Sequence, residues 1–197
     1  MQRNITVFFS FLCLGLLVWS FGSAPAEAQR LIPWQTGLSV TAGVPGTQDG
    51  FFKKDAYDVS ADFSQYFKSR NYYFVGGEFR HRNYRYQSLN IPVEEYLLHA
   101  GYMHPILVDY SKTVLLYLGL SATGGYQELN RGVRTLENGG VLSDRSRFVY
   151  GTTPQASLEI FLSDSFLFTM RGRAMFLWGT DLELFYPSLS AGFKINF

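Results

Sequence analysis

From Pro187 to Phe197 the chain alternates apolar and polar residues without a break. Leu189, Ala191, Phe193, Ile195 and Phe197 fall on one face, and Ser188, Ser190, Gly192, Lys194 and Asn196 on the other. A period of two is the mark of a strand with one face dry. The row closes on the aromatic itself, with no polar tail. A soluble sheet seldom ends an apolar row on a Phe and its carboxylate. A strand with lipid on one side and a filled or wet lumen on the other does so readily. The fold class expected is therefore all-β: an eight-stranded antiparallel up-and-down transmembrane β-barrel of outer-membrane type, with a filled polar lumen.

The other end of the sequence agrees. Arg3 is followed by an uncharged run from Ile5 to Phe21, then by Ala24-Pro25-Ala26-Glu27-Ala28. This reads as a signal peptide over residues 1–28, cleaved after Ala28, ahead of a single barrel domain over 29–197. An uncleaved anchor helix is the lesser reading, because the apolar run sits at the lower limit for a span. Cys13 follows Leu12, where a lipoprotein signal needs a small residue. It is the only cysteine, so the mature chain has no disulfide, thiolate nucleophile or cysteine–metal site to draw on. Aromatic residues make up 17% of the chain, more than a soluble domain of this size needs, and the net charge of +1 offers no basic surface to nucleic acid.

Eight segments have strand length and patterning: Gln35–Gly43, Ala56–Phe67, Tyr72–Arg82, Val93–Met103, Thr113–Tyr126, Phe148–Leu162, Phe166–Trp178 and Ser188–Phe197. Each is about long enough to cross a bilayer at a tilt. Lys68–Asn71 and Ser163–Ser165 read as tight turns. Val44–Asp55, Asn83–Pro92, Gln127–Arg147 and Gly179–Pro187 read as longer polar loops. Short turns on the periplasmic side and long loops outside are the asymmetry of such barrels, and an even strand number puts both termini in the periplasm. His104–Lys112 stands out as a longer periplasmic turn. Its apolar Ile106, Leu107 and Val108 have no evident strand role, which makes them a candidate contact for a partner.

Alternation also sorts the charges. Asp58, Asp62, Glu78, Glu95 and Glu159 face inward, as do Arg80, Arg82, Arg171, Arg173 and Lys194, with His99 among them. Five acids against five bases predict a salt-bridged interior rather than a pore, since an eight-stranded barrel is just wide enough for its own side chains to fill. The competing reading is a soluble barrel that turns its apolar faces inward around a ligand. Aromatics near strand ends (Tyr72, Tyr73, Tyr102, Tyr126, Tyr150, Trp178 and Tyr186) favour the membrane version.

Catalysis has little support. His81 is the only candidate base near the outer rim, and its parity points it away from the lumen. His99 belongs to the interior and His104 to a turn, so the three histidines share no metal-ligand spacing. Asp144, Arg145 and Arg147 in the longest loop could bind an anion or calcium, but a solvated loop tip is the favoured reading. No catalytic residue, metal site or cofactor is expected.

A resemblance adds to this. Tyr72-Tyr-Phe74 with Gly76-Gly-Glu78, Ile91-Pro92, Gly101-Tyr102, the block Leu118–Asn130, Phe148–Gly151, Glu159–Asp164, Leu177–Gly179 and Gly192–Phe197 together resemble the TraO family of conjugal-transfer proteins of Bacteroidota conjugative transposons. The resemblance implies a part in DNA transfer beside a type IV secretion-like mating apparatus, with other apparatus proteins and outer-membrane lipid as partners. It brings no catalytic residues. The chain's ending also resembles outer-membrane proteins in general. That likeness implies that Leu189, Ala191, Phe193, Ile195 and Phe197 form the strand read by the barrel-assembly machinery. Three function classes stand: a structural component of a conjugation machine, a stand-alone surface barrel for adhesion or protection, and an outer-membrane enzyme acting on lipid or peptide. Only the family resemblance selects the first.

Overall fold

The computed structural model describes residues 32–46, 56–86, 89–130, 146–180 and 182–197. The expected signal peptide, and Asp144 and Arg145, lie outside the described residues. Eight strands run in chain order: β1 (Thr36–Pro45), β2 (Tyr57–Tyr66), β3 (Tyr72–Tyr86), β4 (Leu89–Val108), β5 (Val114–Leu129), β6 (Ser146–Phe161), β7 (Phe166–Trp178) and β8 (Phe185–Asn196). Each pairs antiparallel with its neighbours, and β8 returns to β1, so the sheet closes into a barrel. Thr36 and Phe197 clasp the seam by exchanging backbone hydrogen bonds of 3.1 and 2.9 Å. Followed around the wall, the pairing from Pro45 through Ser188, Arg173, Gln155, Gly119, Met103, Tyr72 and Tyr66 comes back to β1 beside Gln35. That is a stagger of about ten residues, which tilts every strand against the barrel axis.

The wall is inside-out by the standard of a soluble protein. In β2 the buried residues are Asp58, Ser60, Asp62, Ser64 and Tyr66, while Tyr57, Val59 and Phe63 are exposed. Leu38 and Val40 on β1, Leu98 on β4, Leu120 on β5 and Phe193 and Ile195 on β8 are likewise exposed. A soluble barrel with an apolar cavity is thereby ruled out. Two apolar clusters fill part of the interior. One, at the end with the short turns, joins Tyr66, Tyr72, Phe74, Met103, Leu115, Tyr117, Phe161 and Leu167. The other, towards the loop end, joins Leu97, Val149, Met175, Leu177 and Tyr186. Gly179, at φ 83°, turns the chain off β7 and lets Leu182 fold over this second cluster.

Three expectations need correction. Asn83–Pro92 is not a long loop: β3 continues to Tyr86 and β4 begins at Leu89. A proline within a strand ordinarily costs a ladder bond. Pro92, however, turns its missing N–H towards β5, and that pairing stops at Val93–Leu129, so no ladder bond is lost. His104–Val108 is not a turn either. These residues are the end of β4, paired with β5 past a bulge between Pro105 and Leu107. Ile106, Leu107 and Val108 are exposed residues of the apolar wall, which gives their character a strand reason. Finally, Tyr72 and Tyr186 are buried inside the barrel rather than set in an outer aromatic belt. Their parity is that of Phe74 and Ser188, both inward.

Candidate functional site: a neutral charge network inside the barrel

Asp58, Asp62, Glu78, Arg80, Arg82, Glu95, His99, Glu159, Arg171, Arg173 and Lys194 are all buried. The strands bring them together in three groups, each with formal charges that cancel.

The largest group is built on a cross-strand row. Asp58 on β2 lies beside Arg80 on β3, Arg80 beside Glu95 on β4, and Glu95 beside Gln127 on β5. Arg80 donates to Glu78 at 2.8 Å and lies 3.6 Å from Glu95. Arg82 and Gln127 both donate to Glu95 Oε1, at 2.8 and 2.6 Å. Arg173, reaching across from β7, donates to Glu78 at 2.5 Å and to Asp58 at 3.0 Å. Three carboxylates therefore face three guanidiniums. Arg82 also lies over the Tyr186 ring, 3.8 Å from its centroid.

The second group is Asp62 with Arg171 and His99. Arg171 donates to Asp62 Oδ2 at 2.6 Å, and His99 Nε2 meets Oδ1 at 2.5 Å. The third group sits in the cluster at the turn end. Glu159 accepts from Tyr72 at 2.8 Å, Tyr66 at 3.1 Å and Lys194 at 3.3 Å. Lys194 also lies against both rings, 3.9 Å from the Tyr72 centroid and 4.4 Å from that of Tyr66.

Burying charge is tolerable only when it is paired and hydrogen-bonded, and removing one partner leaves a costly orphan. Gln155, Arg171 and Arg173 line an interior cavity of about 10 Å³, roughly the space of one water. This interior is a packed core made of polar groups. At the loop end the chain after β7 ties into it, with Thr180 donating to Gln127 at 2.8 Å.

Parity had not singled out Tyr66, Tyr72, Gln127, Tyr186 or Gly76. Tyr66, Tyr72, Tyr186 and Gly76 share a face with a charged residue on their own strands, so a signal was present there, but uncharged residues did not register as part of a charge network; Gln127 had none, since the one charged residue of β5, Glu128, has the opposite parity. The remaining candidates fall elsewhere. His81 faces outward, stacked on Tyr57 at 5.4 Å and 3.6 Å from Glu94. His104 is an outward strand residue stacked on Tyr102 at 6.5 Å. Leu189, Phe193, Ile195 and Phe197 are exposed along β8, with Ala191 half-buried among them. Phe193 stacks on Phe166 at 5.1 Å.

The outer surface carries exposed aromatics at both ends. Tyr57, Phe79 and Tyr96 are in contact across three strands at the loop end, with centroids 6.1 and 5.1 Å apart. Trp34, Phe67, Tyr73 and Tyr102 form a similar ladder at the turn end, with successive centroids 5.3, 5.0 and 5.0 Å apart. Two aromatic girdles flanking an apolar band are the surface of a membrane-spanning barrel.

Comparison with known proteins agrees with this architecture. A family model described as conjugative transposon protein TraO matches residues 32–197. Among solved structures the chain is similar to Ail, the attachment invasion locus protein of Yersinia pestis, at TM-score 0.56 and 16% identity over 84% of this chain and 100% of that one. It is similar to Neisserial surface protein A at TM-score 0.54 and 14% identity, over 83% of this chain and 97% of that one. OprG of Pseudomonas aeruginosa gives TM-score 0.51 and 11% identity, over 84% and 96%. At these identities the likeness is one of fold: the closed eight-stranded barrel of outer-membrane proteins. No curated protein matches the sequence.

Proposed function

The chain belongs to the TraO family of conjugative transposon proteins, and on that premise we propose that it is an outer-membrane structural component of the mating apparatus, a scaffold rather than a conduit. The observation that carries the scaffold reading is the packed interior. Arg80 and Glu95 at its middle are fully buried, and both ends are closed by side chains. A single DNA strand is wider than the residual lumen of such a barrel. The reading assigns no catalytic step, because each buried carboxylate of the network already meets a cationic side chain inside the wall.

In this reading the chain is exported by its signal peptide and inserted with both termini and the short turns in the periplasm. The longer connections then face outward. Its partners are outer-membrane lipid, against the apolar wall, and other proteins of the apparatus. Nucleic acid does not contact it directly.

The test is a clean deletion in a donor strain. Transfer of the element should fall or vanish while growth is unchanged, and the full chain supplied in trans should restore it. Normal transfer from the deletion strain would overturn the conjugation reading and leave a stand-alone surface barrel. Fractionation checks the location: wild-type protein recovered soluble from the periplasm would overturn the outer-membrane assignment.

A further inference from the structure

On its outer surface the wall carries a groove of about 760 Å³. Pro154 and Ala156 on β6 form its floor with Gly172 and Ala174 on β7, and Leu118 and Leu189 flank it on β5 and β8. A Cβ placed on Gly172 would meet nothing within 4 Å. At the loop end of the same strands Tyr150 contacts Trp178, and at the turn end Phe166 stacks on Phe193. The groove lies between these two aromatic levels, so hydrocarbon surrounds it.

The sheet is incomplete at the same place. Leu162 N donates to Phe166 O at 2.9 Å, and the register of β6 with β7 holds from there to Tyr150–Trp178. Hydrogen-bonded pairs recur every second residue, so the even-numbered residues of β6 serve β7. Pro154 stands in that row opposite Ala174, with no N–H to give. Pairing skips the two, passing from Gln155–Arg173 to Thr152–Phe176. The Ala174 carbonyl therefore lacks its strand donor at a depth where no water replaces it. Among the described residues of β5 to β8, Thr152 has the one hydroxyl turned outward between the two aromatic levels, and it bonds no described residue.

Depth relates this donor to that acceptor. The stagger of the wall descends from β7 to β6 towards the turn end, so Phe176 stands about 3 Å above its partner Thr152 for strands 4.8 Å apart at a tilt of about 40°. Ala174, two residues back along β7, is about 5 Å lower than Phe176. Thr152 and Ala174 thus lie within about 2 Å of one depth.

We propose that this face joins two copies of the chain about a two-fold axis along the membrane normal, running between β6 and β7. Such an axis keeps every residue at its depth and sets β6 of one copy against β7 of the other. Thr152 of each copy then donates to the carbonyl of the partner's Ala174. One outward donor and one orphaned acceptor at a single depth are self-complementary under that axis and under no other pairing of upright barrels. The small floor residues let the two walls approach closely, which is the source of attraction in a bilayer, where burying apolar surface gives none. A hydrocarbon chain fills such a groove but brings no donor to the carbonyl. The pairing requires the outer-membrane location and is independent of the conjugation reading.

Single cysteines in the full chain report the axis. Cys13, the only native cysteine, lies in the proposed signal peptide. Ala156→Cys stands beside the axis, and Ala61→Cys on β2 faces lipid on the far side of the barrel. Oxidation in native outer membranes should link Ala156→Cys into a dimer and leave Ala61→Cys monomeric. Adding Gly172→Leu, which fills the groove, should abolish the link. Thr152→Val keeps the shape and removes the donor. It should weaken the dimer about tenfold on dilution in vesicles, the scale of two hydrogen bonds within a membrane. Thr152→Ser should restore it. Heat-modifiable mobility should show every variant folded. A monomeric Ala156→Cys overturns the proposal and leaves the groove to lipid. Equal linking of Ala61→Cys overturns it as well, because random collision then accounts for the dimer. A dimer that survives in folded Gly172→Leu overturns this face as the interface. Wild-type strength in Thr152→Val overturns the Thr152–Ala174 bond that sets the axis.

Discussion

His99 meets Asp62 at 2.5 Å although the two stand on strands that do not touch: β3 runs between them, and Gly76 is the residue it places there. Asp62, Gly76 and His99 form one cross-strand row. A side chain at the middle position would meet the Asp62 carboxylate and the His99 ring. The glycine is what lets carboxylate and imidazole reach one another, and with them Arg171.

Gly76→Ala should therefore destabilise the barrel by about 1–3 kcal/mol, the range for an extra methyl forced into a packed interior. Urea unfolding of the purified protein in lipid vesicles reads this directly. A midpoint equal to wild type would mean the row has slack that its geometry does not show.

Lys194 and Glu159 form a group whose charges cancel between themselves. Lys194→Met leaves Glu159 with only two tyrosine donors, and a loss of about 3–5 kcal/mol is expected for a buried charge stripped of its partner. Adding Glu159→Gln should recover most of that loss. A double variant no better than the single one would show that the tyrosine cradle, not the ion pair, holds this end.

The packed interior predicts electrical silence. A single purified barrel in a planar bilayer should show no large, steady conductance. A steady open level would mean that the Asp58–Arg173–Glu78 crossing of the lumen opens in the membrane.

Removing Phe197 should impair assembly. Its carbonyl accepts from Thr36 N at 3.1 Å and from Thr36 Oγ1 at 3.1 Å, closing the seam between the first and last strands. Heat-modifiable gel mobility should show a smaller folded fraction in the outer membrane for the deletion. Wild-type levels of folded protein would make the terminal residue dispensable for both closure and recognition.

Period-two alternation in the sequence was enough to choose the faces, because side-chain direction in a strand is fixed by residue parity and needs no knowledge of neighbours. Asp58, Asp62 and Arg171 could be placed on the inner face from their own segments alone. Strand ends were less legible. Asn83–Pro92 read as a loop and His104–Lys112 as a turn, and only the stagger of the closed wall put the missing donors of Pro92 and Pro105 where no neighbour needs them. Which charges meet was not legible at all. Arg173 bonds Asp58 and Glu78 from far along the chain, and the link depends on closure bringing β7 across the lumen from β2 and β3. Gly76 is the plainest case. In the sequence it is one of two adjacent glycines; parity puts it on the inner face with Glu78, but nothing local says what it stands between. Cross-strand register alone sets it between an aspartate and a histidine, because register is a relation among three strands that no single segment contains.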